Sequence, residues 1–306
     1  MRNYFKFLFL TKFIKTREFL SYAELTIAIG LVVLAIINKQ GTLIFWQTFV
    51  ALFVLFIIIL SIERLTSCYR GVRYLEVSFI TDLSYTFLVI GGIYGLFQQP
   101  FITWVDSILR QYDPFLYLNG IQNLPKSAQL IVFLITVDFC RYWKHRFLHS
   151  ISIFQAFHSI HHATDNLNFL TTYRIHLVEY LIDGLVTLIP VVLLGIPPEM
   201  SIPLYLTLIL YGAINHSGLN LSFGWLDRIF VSPRFHALHH SIDRNIYNTN
   251  FGSLFSVWDI IFGTANYTSP WQRAYGLPGL QMPSSLTGQL LFPIKLIIKN
   301  LRYRKL

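Results

Sequence analysis

The stretch "DFCRYWKHRFLHSISIFQAFHSIHH", Asp138 to His162, places five histidines within eighteen residues, beginning where an apolar run ends. His145 and His149 stand four apart. His158 stands three and four residues before His161 and His162. On a helix, residues i, i+3 and i+4 share a face, so each set can aim its imidazoles at one point. The pattern recurs about seventy residues downstream as His236, His239 and His240. All ten histidines of the chain lie between 145 and 240; the other two are His176 and His216.

The rest of the chain says where these boxes sit. Of 306 residues, 54% are hydrophobic and 13% charged, and the mean hydropathy is +0.52. Soluble domains carry about 25% charged residues, so the composition points to a membrane protein. About six apolar stretches approach the ~20 residues a spanning helix needs. They cover 22–38, 43–62, 78–98, 128–144, 177–195 and 200–217. The last two form a hairpin about "GIPPEM", where consecutive prolines interrupt a helix. The expected fold is all-α, a polytopic membrane bundle with a helical cytosolic cap carrying the histidine boxes.

The expected organisation runs in four parts. Residues 1–21 form a basic interfacial segment. Residues 22–127 hold the N-terminal transmembrane helices and an external loop over 99–127. Residues 128–265 form the histidine-box domain, including the 177–217 hairpin. Residues 266–306 form a basic interfacial tail. Arg2, Lys6, Lys12, Lys15 and Arg17 precede the first span, so the positive-inside rule puts the N-terminus in the cytoplasm. Counting spans from there delivers every histidine to that same face.

The net charge of +9 accompanies bases beside apolar runs, which fits anionic lipid rather than nucleic acid. Cys68 and Cys140 are not in a CxxC pair, which excludes a cysteine-rich metal site.

Eight box imidazoles exceed the four that a tetrahedral ion takes. Two metals with three or four imidazoles each would fit, with His176 and His216 completing the shells. Imidazole alone does not name the metal. A metal-bound histidine usually gives its other N–H to a carboxylate or carbonyl. Asp138, on roughly the face of His145, is a candidate for that role, with a salt bridge to Arg141 or Arg174 as the alternative. Asp82 is a weaker candidate. Asn215 and Glu179 are placed to orient neighbours, and Asp259 reads as a structural cap near "FGT".

Three boxes in this order, with a hairpin between the second and third, resemble the fatty acid hydroxylase/sterol desaturase superfamily. The flanks "YWKHRFLH", "FHSIHHATDNLNFLTTYRIH", "NHSG" and "FHALHHSIDRNIYNTNFGSLFSVWDIIFGT" are similar as well, most of all to the sterol desaturase-like and alkylglycerol monooxygenase-like branch. The resemblance covers about 130–265. It implies two non-haem irons that use O2 to oxidise a lipid C–H bond. Their ligands would be His145, His149, His158, His161, His162, His236, His239 and His240. His216 would match a further ligand; His176 matches more loosely, and packing is an equal reading for it. No dinucleotide or haem motif is present, so an external electron donor (reductase, ferredoxin or cytochrome) is implied as partner. A desaturase on the same site remains open, as does a polytopic metal or haem carrier. The sequence leaves the lipid substrate undetermined.

Overall fold

A computed structural model describes residues 23, 24, 26, 27, 29, 42–65, 72–74, 76–113, 115, 120–195, 198–267 and 274–303. The expected basic segment 1–21 and most of the expected span 22–38 lie outside the described residues.

The described residues are helical, with no strand and two isolated bridges, Phe230 to Phe255 and Ser241 to Tyr275. In chain order the helices are α1 (Thr42–Leu65), α2 (Val77–Ile90), α3 (Gly95–Tyr112), α4 (Lys126–Ser150), α5 (Ser152–His162), α6 (Leu177–Leu194), α7 (Pro198–Asn215), α8 (Pro233–His239), α9 (Val257–Ile261) and α10 (Leu286–Tyr303). A 3-10 turn at Phe169–Tyr173 links α5 to α6.

The helices depart from the six-span expectation. Among the described residues one helix, α6, is by itself long and apolar enough to cross a bilayer. The expected span 78–98 is broken into α2 and α3, bent by 43°. The break has a local cause: Gly91 closes α2 and Gly92 follows at φ +83°, a left-handed conformation that ends a helix cheaply only at glycine. Beyond it, residues expected to form an external loop instead continue α3 to Tyr112. The span 128–144 lies inside α4, whose second half carries Asp138, Arg141, Lys144 and Arg146. Apolar side chains are nonetheless exposed along several helices. Val50, Phe53, Val54, Ile57 and Ile58 line α1, and Ile131, Ile135 and Phe139 line α4. Contiguous exposed apolar surface of this kind seeks a nonaqueous neighbour.

α4 packs on α5 and α6, α3 packs on α6, and α7 packs on α8 and the 3-10 turn. α10, expected as a free interfacial helix, lays one face on α5. The larger core joins Phe79, Tyr85 and Leu88 of α2 to Ile160 of α5, Phe169, Leu170 and Tyr173 of the turn, and Ala213 of α7. Burying an aromatic or leucine side chain contributes about 1.5–3 kcal/mol, so this core anchors the second box. A polar network reinforces it. Arg174 donates to the buried Asp82 (Nη1 to Oδ1, 2.9 Å) and to Ile160 O in the last turn of α5. Asn168 and Thr171 donate to the other Asp82 oxygen. Asp82, not Asp138, is therefore the partner of Arg174. A buried pair of this kind survives because every charge is hydrogen-bonded.

Candidate metal centre

Nine of the ten histidines converge. His145, His149, His158, His162 and His239 form one group; His161, His216, His236 and His240 form a second. Within each, one ring nitrogen per residue lies within 4.8 Å of all the others. The adjacent pair at the end of α5 divides between the groups, His162 to the first and His161 to the second, because neighbouring helix residues point about 100° apart. His239 and His240 divide in the same way at the end of α8.

Four rings have their tautomer fixed from behind. His145 Nδ1 donates to Phe251 O at 2.9 Å, His239 Nδ1 to Thr249 O at 2.8 Å, and His216 Nδ1 to Gly212 O at 2.8 Å. His158 Nδ1 lies 3.1 Å from both oxygens of the buried Glu179. A carbonyl or carboxylate only accepts, so each of these rings carries its proton on Nδ1 and, when neutral, turns a lone pair at Nε2 inward. The inward nitrogens then crowd. His239 Nε2 and His158 Nε2 each lie 3.1 Å from His162 Nε2. His216 Nε2 lies 3.1 Å from His161 Nε2 and 2.9 Å from His236 Nε2, which is 3.2 Å from His240 Nε2. His145 Nε2 and His149 Nε2 are buried with no hydrogen-bond partner among the described residues.

Lone pairs this close repel unless a ring proton or a metal cation lies between them. A first-row ion binds imidazole at about 2.0–2.1 Å. Donors at right angles around it then stand about 3.0 Å apart, and tetrahedral donors about 3.4 Å, from the same bond length. The 2.9–3.2 Å separations of the close pairs fall in the range of donors that share one such ion. Burial, and then the neighbouring histidines, push His161, His162 and His240 well below the ordinary histidine range. His239 is lowered to about 3, again by burial first. Neutral imidazole is the form that ligates. The residues therefore fit two metal ions.

His176 stands apart and departs from the expected ligand set. It caps the start of α6: Nδ1 accepts from Val178 N, and Nε2 donates to Leu290 O of α10 at 3.0 Å. Both ring nitrogens are spent.

Asp138 reaches neither a histidine nor an arginine by hydrogen bond. It lies about two helical turns before His145, roughly 10 Å along the axis. It accepts instead from Leu254 N, Phe255 N and Trp258 Nε1 at 2.8–3.0 Å. Asp259 accepts from Phe251 N, Gly252 N and Thr264 Oγ1. Two buried carboxylates thus clamp the 249–258 loop, which presents the Thr249 and Phe251 carbonyls to His239 and His145. Asn248 and Asn250 turn this loop in left-handed conformations at φ +61° and +60°. Asn215 donates to Ser253 O of the same loop at 2.8 Å and makes no side-chain hydrogen bond to a histidine among the described residues. Asp138 and Asn215 therefore hydrogen-bond to the loop and not to the rings. The sequence cannot display these backbone acceptors; its one local signal is the Asn-Thr-Asn-Phe-Gly run, rich in residues that tolerate positive φ.

A cavity of about 490 Å³ opens against both groups, touching His145 and His158 of the first and His161, His216 and His236 of the second. Its far end is apolar, with Phe133, Leu188, Val191, Leu204 and Leu208.

The fatty acid hydroxylase family profile matches residues 130–264, the segment that holds all nine converging histidines. This segment belongs to the fatty acid hydroxylase family. The chain is 28% identical over 205 residues to the ornithine lipid hydroxylase OlsE of Rhizobium tropici, covering 65% of this chain and 61% of that protein. Human alkylglycerol monooxygenase is 30% identical over 128 residues, 42% of this chain and 28% of its own length. Methylsterol monooxygenase 1-3 of Arabidopsis thaliana is 29% identical over 211 residues, 67% of this chain and 64% of its own length. The matched part of the chain thus spans from about a quarter to less than two thirds of these relatives. No solved structure matches the chain.

Proposed function

We propose that this fatty acid hydroxylase family member is a membrane-bound di-iron oxygenase that hydroxylates a lipid C–H bond with O2. The convergence of nine inward-facing imidazoles on two points beside one apolar cavity carries this reading. His145, His149, His158, His162 and His239 would hold one iron, and His161, His216, His236 and His240 the other. When bound, the two irons would supply the oxidation: R–H, O2, two electrons and two protons give R–OH and water. Imidazole is an ordinary iron ligand, as it is for zinc, copper and nickel.

The chain's own residues do the rest. The apolar end of the cavity takes an alkyl chain out of water and keeps water from the oxidised carbon. The Thr249, Phe251 and Gly212 carbonyls and Glu179 hold the ring protons on Nδ1, so the inward nitrogens stay available. The exposed apolar side chains of α1 and α4 would face the bilayer, and lipid would enter from it. The histidine face would lie in the cytoplasm, on the side of the N-terminal basic residues, where an acidic electron carrier would dock on basic surface by charge complementarity.

The names of the relatives, hydroxylases and monooxygenases of lipids and sterols, support this class of reaction. The test is turnover under labelled 18O2 with a lipid extract and an added electron donor. Hydroxylation puts one labelled oxygen in the product; an unlabelled alkene would assign the chain to desaturation. Carrier reduction of the protein that ignores salt would count against the basic docking face.

A further inference from the structure

Among the side chains lining the cavity, Arg141 makes no hydrogen bond and no close ion pair among the described residues; its charge acts on Asp138, whose oxygens are hydrogen-bonded elsewhere. It is half-buried on α4, one turn before the ligand candidate His145 and three residues before Lys144, all three lining the same cavity. Its neighbours are committed elsewhere. Lys144 Nζ donates to Asp183 Oδ1 at 2.6 Å and lies 3.8 Å from Glu179 Oε1. Glu179 holds His158. Asp138, three residues before Arg141, uses both oxygens on Leu254, Phe255 and Trp258. A guanidinium carries five N–H donors and keeps its charge at any physiological pH. No Arg141 nitrogen is among the buried polar atoms left without a partner, so its donors stay accessible to a ligand that enters the cavity.

From this we infer that Arg141 is the receptor for an anionic group on the lipid, a carboxylate or a phosphate held by paired N–H donors. The inference rests on the cavity being the substrate site of the proposed oxygenase. Arg141 lies about one helical turn, or roughly 6 Å of rise, from His145. The apolar end, marked by Phe133 two turns below Arg141 on the same helix, takes the chain. The bidentate fit of arginine to planar or tetrahedral oxyanions favours it over a lysine for this task. The substrate class is therefore an acidic lipid, not a neutral sterol or alcohol.

The test uses three probes with the same twelve-carbon chain: laurate, dodecyl phosphate and dodecanol. Equilibrium binding of each to the purified full chain is measured, with metal content determined on the same samples. At least one anionic probe is expected to bind ten-fold or more tightly than dodecanol, and whichever anion is preferred identifies a carboxylate or a phosphate source. In Arg141→Gln that preference falls below three-fold while dodecanol binding stays as in the wild type, which also shows that the cavity is folded. Arg141→Lys retains part of it. Equal binding of all three probes to the wild-type protein overturns the inference, as does an undiminished anion preference in Arg141→Gln. Metal content reads the oxygenase proposal separately. Protein without iron but with the anion preference sinks that proposal alone; protein with two irons and no preference sinks this one alone.

Discussion

Replacing Glu179 by glutamine removes one charge behind one ring and leaves the shape in place. Glu179 is 2% exposed, and both its oxygens lie 3.1 Å from His158 Nδ1. A hydrogen bond to a charged group is worth about 1.5–3 kcal/mol and a neutral one about 0.5–1.5 kcal/mol. Glutamine can still accept through its oxygen, so the loss is about 1–2 kcal/mol. At 1.4 kcal/mol per decade this is roughly five- to thirty-fold in metal affinity, the range expected when the group behind a ligating histidine is changed. The effect should fall on the group that contains His158 and spare the other. Lys144 keeps Asp183 at 2.6 Å, so the substitution does not strand that lysine. The assay is competition with a graded chelator, read as ions retained per chain. The variant is expected to lose one ion at five- to thirty-fold lower chelator activity than the wild type and to hold the second unchanged. Retention of both ions at wild-type affinity, or weakening of both together, would refute the reasoning.

Three further outcomes are expected. His176→Asn keeps a helix-capping side chain and should retain full metal content, whereas His216→Ala should lose the ion of the second group; metal analysis of the two variants compares them directly, and metal loss in His176→Asn would contradict the assignment. Gly252→Ala brings a Cβ within 2.6 Å of Phe255 O and 2.9 Å of Asp259 Oδ2, an overpacking cost of about 1–3 kcal/mol, visible as a lower melting temperature and weaker retention of the first ion. Metal-stripped protein should lose stability on acidification. The folded value of His239 is about 3, below the ordinary 6.5, so between these values the unfolded chain binds the proton that the folded chain refuses. Its contribution is intact above about pH 6.5 and is lost at about 1.4 kcal/mol per pH unit until about pH 3. Denaturation at pH 7.5 and 5.5 measures it, and equal midpoints would contradict the burial of these rings.

The histidine boxes were legible because helical spacing is local. Residues 145 and 149, or 236 and 240, share a helix face whatever the rest of the chain does. How the rings divide was not, since adjacent residues such as His161 and His162 go to different groups only once four separate segments meet. Asp138 shows the limit most clearly. Its place before the first box pointed to a ring partner, yet two turns of helix separate it from His145, and it instead holds a loop that arrives from more than a hundred residues away. The backbone carbonyls of Thr249 and Phe251 carry no side-chain signature at all. The bends and contacts of the apolar helices were hidden for a related reason. Hydropathy registers the apolar run 78–98 but not the left-handed Gly92 that splits it, nor the face that α10 spends on α5.

The central claim is that two clusters of neutral imidazoles hold two irons. The most direct measurement is elemental analysis of the full chain purified under anaerobic conditions, with iron, zinc, copper and nickel quantified together. Two irons per chain are expected, falling toward one in His161→Ala and in His239→Ala, with oxygenation abolished in both and membrane insertion preserved. Active wild-type protein with no bound metal, or full activity in either variant, would contradict it.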